Sequence, residues 1–174
     1  AARHPGFAGG HIFLSTAPYK DREAIYAMFG RLGGPEAEEV ARAFWEAPSE
    51  EAMAALARQY VKVCGPLYTQ APGNHFLNKR TINTNDVLTH FNHGEMRTMN
   101  LLPELAAVSE PVLVAHGELD PVTPMVGAER IVAALPAHLV RFERFVASGH
   151  GVFRDEPDAF FPVLRSFIDE HAGV

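Results

Sequence analysis

The sequence predicts an α/β fold in which parallel strands are flanked by helices and a helical segment interrupts their order. Two apolar runs, 111–116 and 138–145, each precede a helical pattern, which is typical of parallel strands joined by right-handed crossovers. A third apolar run lies at 11–15, directly after a pair of glycines. From 21 to 95 there is almost no strand pattern. We therefore expect three parallel strands of one sheet, with a helical insertion over 18–98.

The first strand and the insertion each have local signals. The run at 11–15 is short and apolar, as expected of a buried strand. Apolar residues recur at three- and four-residue steps over 23–32 and 35–45, which predicts two helices. Ser49 precedes a pair of acidic residues and is the predicted N-cap of a third helix, which runs to a Gly-Pro pair. A fourth, shorter helix is expected from residue 85 to 91.

The two C-terminal strands are followed by helical patterns over 124–135 and 157–168. Each pattern has an apolar stripe on one face, so both helices are expected to pack on the sheet. Pro162 interrupts the second pattern. Because proline is tolerated only in the first turn of a helix, we expect that helix to begin near Ala159.

Composition and charge exclude several classes of protein. The 174 residues are 47% hydrophobic and 21% charged, which is typical of a globular chain rather than a disordered one. The net charge of −6, without a basic stripe, argues against nucleic acid as a partner. No apolar run approaches the roughly 18–20 residues that cross a bilayer, and the first residues do not have the basic and then apolar pattern that predicts a signal peptide. The single cysteine, Cys64, cannot form an internal disulfide, so we expect a cytoplasmic protein.

Polar loops follow both C-terminal strands, at the edge of an open α/β sheet where functional groups collect. Asp120 lies in the loop 117–124, and His150 lies in the loop 148–151. A buried carboxylate that accepts an imidazole N–H fixes the tautomer of the ring and stabilises its protonated form. We therefore expect the two side chains to lie within hydrogen-bond distance. Either residue alone would more simply be a turn aspartate or a loop histidine.

Residues 100–174 resemble the end of an α/β-hydrolase of the proline iminopeptidase-like group. The resemblance rests on Pro-Val-Leu-Val from 111, Gly-Glu-Leu-Asp-Pro-Val-Thr-Pro from 117, and Gly-His-Gly from 149, which a Glu-Pro pair follows. It implies that Asp120 is the acid and His150 the base of a catalytic triad. It also implies the C-terminal part of an α/β-hydrolase fold, with 1–17 and 99–174 as the core and 18–98 as an inserted helical cap.

The nucleophile of that family lies in a Gly-x-Ser-x-Gly elbow, a strained turn between strand and helix. No serine of this sequence has glycines at both offsets. Cys64 ends a predicted helix and is a poor candidate. A domain of this type needs about 250–300 residues, so we expect the nucleophile and the oxyanion hole to lie in an upstream half of the fold. That half, in the same polypeptide or in a companion chain, is a predicted partner.

Substrate-binding residues are expected in the insertion. Iminopeptidases of this group hold the free amino terminus of the substrate with acids of the cap, but Gly73 stands where a glutamate is expected. Glu95 and Glu46 are the alternatives. Aromatic side chains at helical spacing are candidates for an apolar pocket, although they are also typical of a core. The predicted substrate-binding residues are Glu95, Trp45, Phe76 and Phe91.

The sequence predicts a serine hydrolase that cleaves small amides or esters, with N-terminal proline aminopeptidase activity slightly favoured over esterase or lactonase activity. The alternative is a non-catalytic relative that uses the fold as a binding module. The expected ligand is a small molecule or a short peptide, and neither nucleic acid nor membrane is an expected partner. His90 and His93 beside Glu95 are too sparse a pattern for a metal site, so no metal or other cofactor is predicted.

Overall fold

The computed structural model describes residues 3–71 and 85–171. Its sheet has three parallel strands in the order β1 (His11–Leu14), β2 (Val112–Gly117) and β3 (Val140–Phe145). The predicted strands and their parallel pairing are confirmed, with strand ends displaced by at most two residues. Parallel pairing places the carboxyl ends of all three strands at one edge of the sheet.

The central strand β2 is buried at every position because helices cover both of its faces. Val112 packs in a cluster with α5 (Met125–Ala134), whereas Leu113 packs in a second cluster with α7 (Pro157–His171) on the opposite face. Side chains of a strand alternate between its two faces, so a strand covered on both sides must be apolar throughout. The continuous apolar run in the sequence has this cause.

The long helix α1 (Arg22–Trp45) replaces the two separate helices that the sequence predicts over 23–32 and 35–45. The helix bends where Gly34 adopts a φ of 78°, directly before Pro35. Only glycine adopts this left-handed conformation without strain, and proline cannot donate the N–H that would continue a straight helix. The two predicted segments therefore exist, but they join through a kink.

Two further α-helices lie in the described part of the insertion, α2 (Glu50–Val63) and α3 (Asn85–His93). The predicted cap of α2 is confirmed, because the hydroxyl of Ser49 accepts the backbone N–H of Ala52 at 3.2 Å. Buried side chains between α1 and α2 form an apolar cluster of their own: Phe29, Phe44, Trp45, Met53 and Tyr60. The described residues of the insertion are mainly helical, as expected, and its role as a separate cap stays a prediction.

Short helical turns complete the chain. They are Gly65–Tyr68, Glu95–Arg97, α4 (Leu102–Leu105), Ala137–Leu139 and α6 (Val152–Asp155). Among the helices of the described residues, none has the length and apolar character that crossing a bilayer requires.

The start of α7 differs from the expectation, since the helix begins at Pro157 and contains Pro162 in its interior. Pro162 has no N–H, so the carbonyl of Asp158 lacks its helical donor. Asp158 is exposed, which leaves that carbonyl accessible to water. Phe160 and Phe167 are both buried on the sheet. Burial of this apolar face therefore outweighs the missing hydrogen bond, and the prediction of a start near Ala159 is wrong.

Candidate active site

Asp120 lies three residues after β2 in a turn that its own carboxylate closes. Its Oδ1 accepts the backbone N–H groups of Val122 at 2.8 Å and Thr123 at 2.9 Å, and its Oδ2 accepts the Thr123 hydroxyl at 2.8 Å. The side chain is completely buried. Burial opposes ionisation of Asp120. The hydrogen bond and the positive charge of His150, together with the N–H of Thr123, outweigh burial and hold the pKa of Asp120 below its usual value. Asp120 is thus a buried, fixed carboxylate that can accept one more hydrogen bond at Oδ2.

His150 donates this hydrogen bond, and its Nδ1 lies 2.9 Å from Oδ2 of Asp120. Because a carboxylate can only accept, Nδ1 carries the proton in the neutral ring. Nε2 then has a free lone pair, and 26% of the His150 side chain is exposed. The expected contact is present, and it gives the tautomer that a general base needs. The catalytic roles of Asp120 and His150 stay predictions.

The loop that carries His150 is anchored from two directions. The backbone N–H of His150 donates to the carbonyl oxygen of Tyr68 at 2.8 Å, and the Tyr68 ring meets the imidazole edge-on at a centroid distance of 6.0 Å. One residue earlier, the N–H of Gly149 donates to Oδ2 of Asp155 at 2.7 Å. A Cβ on Gly149 would overlap with the Tyr68 carbonyl, so this close approach requires glycine. The helical insertion therefore helps to position His150.

Asp155 links this loop to the insertion. Besides the N–H of Gly149, its carboxylate accepts the hydroxyl of Thr69 and the backbone N–H of Gln70, the latter at 3.0 Å. Sequence reasoning missed Asp155, although its place in the first turn after Gly-His-Gly was visible. Only the fold brings the segment around Thr69 to this carboxylate.

A second histidine, also missed, contacts the same carboxylate from β2. His116 is completely buried, and its Nε2 lies 3.7 Å from Oδ2 of Asp120 while donating to the carbonyl oxygen of Thr123. Burial lowers the pKa of His116, so the ring stays neutral. The sequence contains one signal for this contact, a histidine inside an otherwise apolar strand.

The described serines next to the site differ in their contacts. Ser148 is buried, and its hydroxyl donates to a carboxylate oxygen of Glu156 at 2.6 Å, which makes it unsuitable as a nucleophile. Ser15 follows β1 with a φ of 46°, and its hydroxyl is buried without a hydrogen-bond partner among the described residues. Such strain is more common at functional sites than elsewhere. Ser15 is therefore the one serine near the strand ends that needs an experimental test.

The predicted substrate-binding residues do not form one group in the structure. Trp45 is buried, donates its indole N–H to the Tyr60 hydroxyl at 3.2 Å, and lines an apolar pocket. Glu95 and Phe91 line a separate open depression beside α3. Phe76 lies outside the described residues. Their binding roles stay predictions.

The pocket beside Trp45 has a volume of about 260 Å³ and lies at the carboxyl ends of β1 and β2. Thr123, whose hydroxyl bonds Asp120, forms part of its wall, so the pocket borders the Asp120–His150 pair. Its other lining side chains are mostly apolar, and they include Ile25, Trp45, Met96, Met99, Val122 and Val126.

The histidines that could suggest a metal have other contacts. Nδ1 and Nε2 of His93 each lie 2.9 Å from a backbone carbonyl oxygen, of Thr89 and Ala47 respectively. Nδ1 of His90 lies 3.6 Å from a carboxylate oxygen of Glu50. Within residues 3–71 and 85–171, no group of three or more potential ligands is placed to hold a metal ion.

Comparisons with known proteins agree with this architecture. A model of the family described as TAP-like protein matches residues 95–170, and no curated protein matches the chain. An alpha/beta fold family hydrolase from Bacillus anthracis aligns with a TM-score of 0.61 at 16% identity, covering 91% of this chain and 58% of that one. An esterase from Exiguobacterium antarcticum aligns with a TM-score of 0.53 at 16% identity, covering 92% and 57%.

A proline iminopeptidase from Mycobacterium smegmatis aligns with a TM-score of 0.58 at 17% identity, covering 98% of this chain and 60% of that one. At such identities the likeness concerns the fold alone. The chain has the α/β-hydrolase fold and corresponds to its C-terminal part, as the sequence predicted. It spans less than two thirds of the length of each of these three structures.

Proposed function

We propose that this chain is the proton-handling part of a serine-type hydrolase that cleaves small esters or amides. The observation that carries the proposal is the hydrogen bond of 2.9 Å between Nδ1 of His150 and the buried carboxylate of Asp120. A pair of this kind leaves Nε2 of a partly exposed imidazole free to accept a proton. A non-catalytic binding module, the alternative, would not need this tautomer to be fixed.

In the proposed reaction, Nε2 of His150 takes the proton of a serine hydroxyl as its oxygen attacks the carbonyl carbon of the substrate. The tetrahedral intermediate collapses when the same imidazolium protonates the leaving alcohol or amine. Water then attacks the acyl-enzyme by the same two proton transfers and releases the acid. Asp120 stays ionised throughout and stabilises the imidazolium of His150.

The nucleophile in this proposal belongs to a segment that precedes residue 1 in the same fold. No Gly-x-Ser-x-Gly motif occurs in the sequence, and the hydroxyl of Ser148 is bonded to Glu156. In the described sheet β1 lies at one edge, where a further parallel strand could pair. Ser15 is the rival nucleophile within the chain because of its strained backbone.

Fluorophosphonate labelling of the polypeptide that contains these residues, with its upstream segment, tests the proposal. We expect labelling at a serine of the upstream segment, and loss of both labelling and turnover by several orders of magnitude in His150→Ala. Ser15→Ala should keep both. Labelling at Ser15, or turnover unaffected by His150→Ala, would overturn the corresponding assignment.

The choice between peptidase and esterase needs a substrate panel. The resemblance to proline iminopeptidases favours aminoacyl amides, whereas the apolar pocket beside Thr123 favours an apolar acyl group. Proline and alanine arylamides should be compared with short-chain nitrophenyl esters on the same preparation. Ester cleavage without arylamide cleavage would remove the iminopeptidase proposal and keep the hydrolase proposal.

A further inference from the structure

We propose that Lys20 makes the pocket beside Trp45 a binding site for an apolar ligand that carries a carboxylate. The inference rests on the proposed function, because it names the class of substrate or product that would lie beside the Asp120–His150 pair. Its ligand places an aliphatic or aromatic body in the pocket and its anionic end at the Lys20 amine. Lys20 follows β1, and no expectation from the sequence gave this residue a role.

The position of Lys20 relative to the pocket is the first observation. Lys20 lines the apolar pocket of about 260 Å³ and also an adjoining depression of about 310 Å³, which Arg22 and Arg97 border. Trp45 and Met96 line both spaces. The amine therefore lies where an apolar chamber opens toward a polar entrance, as an amphiphilic ligand requires.

The Lys20 amine also lacks a counter-charge. It lies over the Trp45 ring, 2.7 Å from the ring centroid, and among the described residues no carboxylate lies within ion-pair distance of it. Burial and the neighbouring charge of Arg22 lower the pKa of Lys20 to about 6. Charging a partly buried amine that has an aromatic face but no counter-charge beside it is costly, and a bound carboxylate would supply that counter-charge.

The acidic groups around the pocket are already paired. Asp21 accepts from Arg130 at 2.6 Å and caps α1 through the N–H of Ala24. Glu46 lies 3.4 Å from Arg42, whose guanidinium two further glutamates also contact.

Two arginines and a tyrosine are the other titratable groups around the Lys20 amine. Neither Arg22 nor Arg97 has a carboxylate within ion-pair distance among the described residues. Tyr19 faces the Arg130 guanidinium at 5.1 Å from its ring centroid. The two arginines therefore leave positive charge at this site without a carboxylate partner among the described residues, which favours an anion and disfavours the free amino terminus of a peptide.

The test measures binding rather than turnover, in a His150→Ala background of the polypeptide that contains this chain. Octanoate, octanol and octylamine share one apolar chain and differ in the charge of the head group. We expect octanoate to bind about tenfold to a hundredfold tighter than the other two by calorimetry, the effect of one charge-assisted hydrogen bond. Lys20→Met should abolish that preference while octanol affinity stays unchanged. The exposed Lys62 on α2 supplies the matched control, Lys62→Met.

The pH dependence separates a charge contact from a packing effect. Because Lys20 must be protonated to hold a carboxylate, octanoate affinity should rise by about tenfold per pH unit as pH falls from about 8 toward 7. Lys20→Arg, which stays protonated, should keep the preference for octanoate and lose this pH dependence.

Equal binding of octanoate to Lys20→Met and to the parent would overturn the inference, as would tighter binding of octylamine. The two proposals fail separately in this design. Octanoate binding without fluorophosphonate labelling of the His150-intact protein would remove only the hydrolase proposal. Labelling without any octanoate binding would remove only the Lys20 site.

Discussion

Gly117, the last residue of β2, packs directly against the backbone of Gly149, the residue before His150. A Cβ placed on Gly117 would overlap with the carbonyl oxygens of Ser148 and Gly149. This approach brings the Asp120 loop and the His150 loop together, and the N–H of Leu119 donates to the Ser148 carbonyl at 2.9 Å. The hydrogen bond between the two proposed catalytic side chains thus depends on a backbone contact.

Substitution of Gly117 by alanine should therefore separate the two loops. We expect Gly117→Ala to lower the free energy of unfolding by about 1–3 kcal/mol, the usual cost of overpacking. Turnover should also fall, because the Asp120–His150 contact would be disturbed. Gly65→Ala is the matched control, because its Cβ would meet only a Val61 methyl at 4.0 Å. Urea denaturation measures the free energy of unfolding of the two variants. Equal stability of the two variants would contradict the packing argument.

Removal of the Asp155 carboxylate should loosen the His150 loop without removing a catalytic group. In Asp155→Ala we expect faster hydrogen exchange at the amides of Gly149 and Gln70, which donate to this carboxylate. The kcat should fall by about tenfold to a hundredfold with little change in KM, because the base is misplaced. Asp158→Ala, an exposed residue three positions later, serves as the control. Unchanged exchange at Gly149 would refute the anchoring role.

Acid should destabilise the fold through His116. Burial lowers the folded-state pKa of His116 below its usual 6.5, so the unfolded chain binds the proton first. Its contribution to stability is therefore complete above about pH 6.5 and decreases by up to about 1.4 kcal/mol for each pH unit below it, until the folded pKa is reached. Denaturation at several pH values should show a shallower slope for His116→Gln. The exposed His138, substituted in the same way, should leave the slope unchanged.

The thiol of Cys64 should be unreactive in the folded protein. Cys64 is completely buried, its Sγ lies 3.6 Å from the carbonyl oxygen of Ala37, and burial raises its pKa to about 12. Because the thiolate is the reactive form, modification by a thiol reagent should require unfolding. Peptide mass spectrometry measures labelling of Cys64 with and without denaturant. The control is Ser109→Cys in a Cys64→Ala background, which should react at once because residue 109 is exposed. Rapid labelling of Cys64 in the native protein would contradict its burial.

Local physical chemistry in the sequence determined the fold class. The continuous apolar run of β2 can exist only where both faces are covered, and the side chain of Ser49 satisfies an amide that a helix start leaves free. The order of strand, acid loop, strand and histidine loop predicted the contact between Asp120 and His150, because carboxyl ends of parallel strands share one edge. These features depend on neighbours in the chain or on strand order.

Tertiary structure decided what depends on residues far apart in sequence. Only the folded chain separates Glu95 from the pocket that Trp45 lines, and only it leaves the Lys20 amine without a carboxylate. The start of α7 at Pro157 likewise follows from packing on the sheet, which local propensity does not include. Periodicity indicates which face of an element is apolar, whereas contacts across 30 and 109 residues are set by how the elements pack against each other.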